Sequence, residues 1–194
     1  FFVEIGGKKL LFDPFISPNP KAQAANIVID NIEPDYILIS HGHDDHLADA
    51  FEIAMQSNAK IISNPEIVKW FDKQGVKSGH EKNIGGKFLF DFGTVKMVKA
   101  VHSSMLPDGS YGGNPAGFVI SNEQEGTFYF AGDTGLTLDM QLIPMICPRL
   151  DFAILPIGDN YTMGYEDAIL ASNFIQCNTI IACHFDTFPQ IEID

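Results

Sequence analysis

The stretch ILISHGHDDHLADA, Ile37 to Ala50, sets three histidines and two aspartates within the six residues His41 to His46, directly behind an apolar run. His41 and His43 are two residues apart, so at an extended strand end both imidazoles project to one side and form a chelating pair. Asp45 and His46 then turn the chain and offer a carboxylate and a further imidazole to a second ion nearby. Neutral imidazoles beside carboxylates are the usual donors to borderline metals such as zinc. The competing reading is a capped loop, with Asp45 capping a helix at Leu47 and the histidines solvated. It suits a lone histidine better than three at this spacing.

Four neighbours in sequence cannot close two coordination spheres, so further ligands must come from elsewhere. Three candidates each follow a strand-like run: His102 in VKAVHSS, Asp133 in FYFAGDTG and His184 in IIACHFD. Layered folds gather functional side chains on the loops past their strands. Asp13 in LFDP either orients a ligand imidazole or caps a turn, and the sequence leaves both open. Ser103, Ser104 and Thr134 could orient ligands too, although small hydroxyls at strand ends more often satisfy backbone. Gly158 to Gly164, rich in polar and aromatic side chains, is either part of a substrate wall or a plain loop.

The elements that must position these residues are short. Phe1–Ile5 and Lys8–Phe12 read as strands joined by the Gly6-Gly7 turn, 14–20 as an irregular loop, and Asp35–Ser40 as a strand. Leu47–Ser57 has helical spacing, and Asn64-Pro65 starts a second helix that Gly75 can end. Lys87–Phe92 with Thr94–Val101, and Ala116–Ser121 with Thr127–Ala131, read as antiparallel pairs. Pro107–Pro115 reads as an exposed lip, and Leu136–Ile146 as a helix distorted at Pro144. Asp151–Leu155 and Thr179–Cys183 read as strands, with the helix Glu166–Gln176 between them. Phe88, Phe90 and Phe92 are expected to pack, Cys183 to face the core and His80 to lie at the surface. Hairpins mixed with helices imply layered sheets covered by helices.

HGHDDH at His41 to His46 matches the H-x-H-x-D-H signature of the metallo-β-lactamase superfamily, and His102, Asp133 and His184 follow in the order of its later ligands. LFDPF, FYFAGDTGL, ILPIGDNYTMGYEDA and CHFDTFP resemble the small metal-dependent hydrolase branch related to ascorbate-6-phosphate lactonase. The resemblance implies an α+β fold, a four-layer αββα sandwich with the metals at one edge of the two sheets. It implies one metallo-hydrolase domain over 1–194, with a strand segment before Phe1 and a helix and strand after Pro189 in relatives. It further implies that His41, His43 and His102 hold one ion, that Asp45, His46 and His184 hold the other, and that Asp133 bridges them. A hydroxide held between the ions would attack the substrate, with Asp45 or Asp133 as the catalytic carboxylate that receives or orients its proton. Many relatives carry a Gly-Gly pair and a proline where Asp159-Asn160 and Tyr165 stand here, which leaves substrate preference open.

The expected cofactors are two divalent ions, zinc first, with manganese or iron behind it. The substrate class is a small metabolite ester, lactone or phosphoester. An iron-dependent oxidoreductase, a nuclease and a non-catalytic binding protein are the alternatives on this scaffold, although flavodiiron relatives carry Glu where His43 stands. A net charge of −13 argues against nucleic acid, and the seven of twelve basic residues between Lys69 and Lys99 are interleaved with apolar ones, as on solvated helix faces and strand edges. No apolar run reaches the roughly 18 residues of a membrane span, so no membrane partner is expected. Three cysteines without C-x-x-C spacing suit a reducing compartment; a cytoplasmic location and a possible homo-oligomer complete the expectations.

Overall fold

The Gly6-Gly7 pair takes the left-handed φ of 58° and 69° that a two-residue hairpin demands, and joins β1 (Phe2–Ile5) antiparallel to β2 (Lys8–Phe12). The computed structural model describes residues 1–193. Its internal contacts divide the chain into one unit of Phe1–Asn83 with Ser103–Asn114 and another of Ile84–His102 with Pro115–Asp194.

In the first unit the chain continues through α1 (Pro20–Ala24), β3 (Tyr36–Leu38), α2 (Asp44–Leu47), α3 (Ala50–Ser57), β4 (Lys60–Ser63), α4 (Pro65–Gln74) and β5 (Gly79–Glu81). The sheet runs in the order β1 to β5, and every pairing after the hairpin is parallel. Parallel pairing suits β3, whose three residues are all buried. α4 forms where its sequence has both ends marked. Asn64 caps it by accepting from Ile67 N at 3.0 Å, Pro65 fills the first turn, and Gly75 ends it at φ 115°. Its Ile67, Val68 and Phe71 join Ile37, Ile39, Ile53 and Ile61 in the core of this unit, each burial contributing about 1.5–3 kcal/mol.

The expected single helix over Leu47–Ser57 is two helices. Between them Asp49 turns its buried carboxylate to Ile16 N (2.6 Å) and Ser17 N (3.1 Å), pinning the loop 14–20, which is irregular as expected up to Pro20, the first residue of α1. Lys82 also departs from expectation, being buried rather than solvated. His80 sits half-buried in β5, a strand too short and polar to show in the pattern.

The second unit contains β6 (Lys87–Phe90), β7 (Gly93–Lys99), β8 (Ala116–Asn122), β9 (Gly126–Phe130), α5 (Ile143–Ile146), β10 (Phe152–Pro156), α6 (Tyr165–Phe174) and β11 (Ile180–Cys183). Its sheet follows chain order, antiparallel from β6 to β9 and parallel from β9 to β11. Val98, Val119, Tyr129, Ala153 and Leu155 pack with Met140, Ile143, Ala168 and Ala171 in its core. The helix expected over Leu136–Ile146 is a 3-10 turn, Leu138–Leu142, followed by the single turn of α5, whose Pro144 lacks the N–H a continuous helix needs. Phe90 and Phe92 stack in the interior, and Phe88 packs edge to face on Phe90 at 4.8 Å while staying 46% exposed because β6 is an edge strand. Cys183 is half-buried for the same reason at the other edge, where β11 pairs only with β10. Gly112 and Gly113, at the end of the expected lip, are buried; Asn64 donates through Nδ2 to Gly112 O at 2.7 Å.

Candidate metal-binding site

Because β2 and β3 are parallel neighbours with Phe12 opposite Leu38, the residues just past both strands emerge together. Asp13 follows β2 at φ 43°, a left-handed conformation, and its N–H donates to Leu38 O at 3.0 Å. Its carboxylate then reaches the histidine segment. Oδ1 accepts from Ser40 N at 2.8 Å, and Oδ2 accepts from Ser40 Oγ at 2.5 Å and faces His46 Nδ1 at 2.8 Å.

These bonds fix tautomers. An ionised carboxylate only accepts, so His46 carries its proton on Nδ1 and presents the Nε2 lone pair. The single proton of Ser40 Oγ goes to Asp13, so at 2.9 Å the hydroxyl accepts from His41 Nδ1, and His41 also presents Nε2. Asp13 thus orients two imidazoles, directly and through Ser40. It comes close enough to His41 and His46 to share an ion with them, yet both its oxygens are already engaged, which makes it a positioning carboxylate.

His43 completes the group in this unit. Its Nε2 lies 3.2 Å from Ser103 Oγ and its Nδ1 3.0 Å from His41 Nε2. The hydroxyl can donate or accept; in the tautomer whose Nε2 donates to it, Nδ1 turns its lone pair toward that of His41. Two lone pairs so close repel unless a cation lies against both, and bonds of about 2.0–2.1 Å in a tetrahedral site put ligand nitrogens about 3.3 Å apart. The donor set therefore fits a metal ion. Ser104 holds the intervening turn, accepting from Gly42 N at 3.0 Å and donating to Gly112 O at 2.9 Å. Asp45 lies in the first turn of α2, with Oδ2 3.5 Å from His46 Nε2. His41 and His46 are buried, and Asp45 is partly open, its side chain 27% exposed.

In the second unit Asp133 Oδ2 lies 3.1 Å from His184 Nε2 and 3.7 Å from His102 Nε2, with the carboxylate 5% exposed. Asp133 and His184 follow β9 and β11, which flank β10 on either side. Gly132 gives the turn after β9 its φ of 61°. Thr134 satisfies backbone, its Oγ1 accepting from Val101 N at 2.9 Å and donating to Gly135 O at 2.7 Å. That tie holds the segment bearing His102. His184 is itself left-handed at φ 54°, a conformation costing about 1–2 kcal/mol in a residue other than glycine. The loop 158–164 is closed by a Gly158–Gly164 bridge, exposes Asp159, Asn160 and Tyr161, and seats Gly158 against the His184 carbonyl.

Each unit therefore gathers its own expected residues: His41, His43, Asp45 and His46 in the first, His102, Asp133 and His184 in the second. Ser40 is the residue that sequence reasoning passed over. The signal was a hydroxyl immediately before the first histidine, but its role needed the β2–β3 register that brings Asp13 beside it. No described helix is long and apolar enough to cross a membrane.

Residues 8–185 match the family model of the β-lactamase superfamily domain. The chain is 55% identical over 192 residues to a metal-dependent hydrolase of Flavobacterium johnsoniae, covering 99% of this chain and 83% of that protein. It is 50% identical over 194 residues to a metal-dependent hydrolase of Methylacidiphilum infernorum, covering 100% and 84%. Among solved structures it is similar to a metallo hydrolase of the hyperthermophilic archaeon Ignicoccus hospitalis, with a TM-score of 0.86 and 34% identity, covering 100% of this chain and 82% of that one.

Proposed function

Since the chain belongs to the metallo-β-lactamase superfamily and is, like these relatives, a metal-dependent hydrolase, we propose that it cleaves an ester, lactone or phosphoester bond in a small metabolite. Its proposed metal ligands are His41, His43, Asp45, His46, His102, Asp133 and His184, serving two divalent ions with zinc first and manganese or iron behind. The observation that carries this reading is the Asp13–Ser40–His41 and Asp13–His46 relay, which leaves Nε2 of both imidazoles as donors. A loop of solvated histidines has no use for it.

Bound divalent ions supply Lewis acidity, which lowers the pKa of water from about 15.7 toward about 7 and polarises a carbonyl or phosphoryl oxygen. The chain's own residues do the rest. Asp45, the more open carboxylate, and Asp133, the more buried, receive or orient the proton released as water attacks. Asp13, Ser40 and Ser103 hold ligand imidazoles in one tautomer through the turnover. The exposed Asp159, Asn160 and Tyr161 form part of the substrate wall. The sequence resemblance to the lactonase branch favours a lactone or phosphorylated substrate, and the net charge of −13 disfavours a nucleic acid. Three cysteines without C-x-x-C spacing suit a reducing cytoplasm.

The test is a panel of chromogenic lactone, carboxylic ester, phosphomonoester, phosphodiester and β-lactam substrates, run on metal-reconstituted protein and on its Asp133→Asn variant. Turnover of a lactone, ester or phosphoester that chelator abolishes and Asp133→Asn depresses is the expected result. Turnover untouched by both, or confined to β-lactams, would overturn the proposal.

A further inference from the structure

The face of the second unit's sheet that packs beneath α5 and α6 changes character toward one end. Along β7, Val98 belongs to the apolar core, whereas Lys96 and Thr94, two and four residues earlier on the same face, do not. Thr94 pairs with Ser121 of β8, which pairs with Thr127 of β9, so a row of hydroxyls crosses three strands. Lys87 of β6 stands directly opposite Lys96. These side chains line a cavity of about 430 Å³, walled on another side by Arg149 and Cys147.

Like charges directly opposite in an antiparallel pair destabilise it, and here three of only twelve basic residues in a chain of net charge −13 meet at one cavity. Lys96 is also held in place, its Nζ donating to Gly85 O at 2.8 Å. Two carboxylates line the cavity as well, Glu123 and Asp151. Asp151 accepts from Thr127 N at 2.8 Å, so part of its charge is taken up by backbone. The lining therefore carries a net positive charge on a strongly acidic protein. The volume is that of a small-metabolite site.

We infer that this cavity binds a small phosphorylated metabolite, its phosphate oxygens taken by Lys87, Lys96 and Arg149 and by the hydroxyls of Thr94, Ser121 and Thr127. The site is separate from the candidate metal ligands of the same unit. It lies at the N-terminal ends of β7, β9 and β10, whereas His102 and Asp133 follow the C-terminal ends of β7 and β9. Thr127 and Asp133 are six residues apart along the chain, about 20 Å if extended.

Cys147 provides the reporter. Burial pushes its thiol pKa up while the Lys96 and Lys87 ammoniums pull it back, so the thiol feels both charges. An anion in the cavity both covers the thiol and cancels that pull, and each effect slows alkylation. The experiment follows iodoacetamide labelling of Cys147 by peptide mass spectrometry on metal-loaded protein, with pyrophosphate as the probe. At ten times its dissociation constant the probe should slow labelling about tenfold, as one-site occupancy requires. Lys96→Met and Arg149→Met should each weaken the protection, and His43→Ala should retain it. Absent protection, protection undiminished in both cation variants, or protection lost in His43→Ala, which would assign the probe to the metal ligands, would overturn the inference.

Discussion

Replacing Asp13 by asparagine changes one atom of a side chain that is 6% exposed and accepts three hydrogen bonds. Asparagine keeps one acceptor oxygen and turns the other into an NH2 group. It can still accept from Ser40 N, but its NH2 can accept from neither Ser40 Oγ nor His46 Nδ1. Relief comes if His46 moves its proton to Nε2, the nitrogen that faces Asp45 and would face an ion. A hydrogen bond to a charged group contributes about 1.5–3 kcal/mol. Loss of a partner that orients a ligand costs about 10–100-fold in metal affinity, or about 1.4–2.8 kcal/mol at 1.4 kcal/mol per factor of ten. The two estimates agree. Competition against a chromogenic chelator should therefore show Asp13→Asn binding zinc about 10–100-fold more weakly than wild type, and thermal melting of the metal-free proteins should report any general loss of fold separately. Wild-type affinity in a normally folded Asp13→Asn protein would refute the relay.

Other expectations follow from single residues. Tyr129 is fully buried with its hydroxyl unpartnered among the described residues, and burial drives its pKa far upward; Tyr129→Phe should raise stability by about 1 kcal/mol, seen as a melting point higher by about 2–4 °C, and a lower melting point would reveal a hidden partner. A Cβ on Gly158 would overlap the His184 carbonyl oxygen, so Gly158→Ala should cost about 1–3 kcal/mol and weaken metal binding; unchanged affinity would detach that loop from His184. Burial, then the Lys82 and Lys60 ammoniums, hold the His80 pKa below its ordinary 6.5. The folded chain thus takes up that proton less readily than the unfolded one, and the associated stability, complete above pH 6.5, is lost as pH falls through 6.5 toward the folded value. A chemical-shift titration should place the His80 midpoint below 6.5 and Lys82→Met should raise it; a wild-type midpoint at or above 6.5 would contradict this.

The sequence was most legible where local signals agree. Asn64, Pro65 and Gly75 bracket α4, and the Gly6-Gly7 hairpin and the strands leading to His102, Asp133 and His184 lie within a residue or two of their expected bounds. Where structure depends on partners distant in sequence, it was not legible. β4 and β5 are short strands that exist because β3 offers an edge to β4 and β4 one to β5. The break before α3 depends on Asp49 bonding a loop more than thirty residues earlier. The candidate ligands stand out in the sequence because strand ends and residue types are local. The choice between turn cap and positioning carboxylate for Asp13 could not be made, since it rests on Phe12 lying opposite Leu38. Lys87 and Lys96 read as solvated strand edges until the register set them face to face over a cavity.

The most direct test of the central claim is the elemental metal content per chain of protein purified without chelator or affinity nickel, for wild type and His43→Ala. The proposed ligand set predicts about two zinc, manganese or iron ions in wild type and a loss in the variant. A wild-type chain that stays free of metal after reconstitution, or a variant that retains full content, would contradict it.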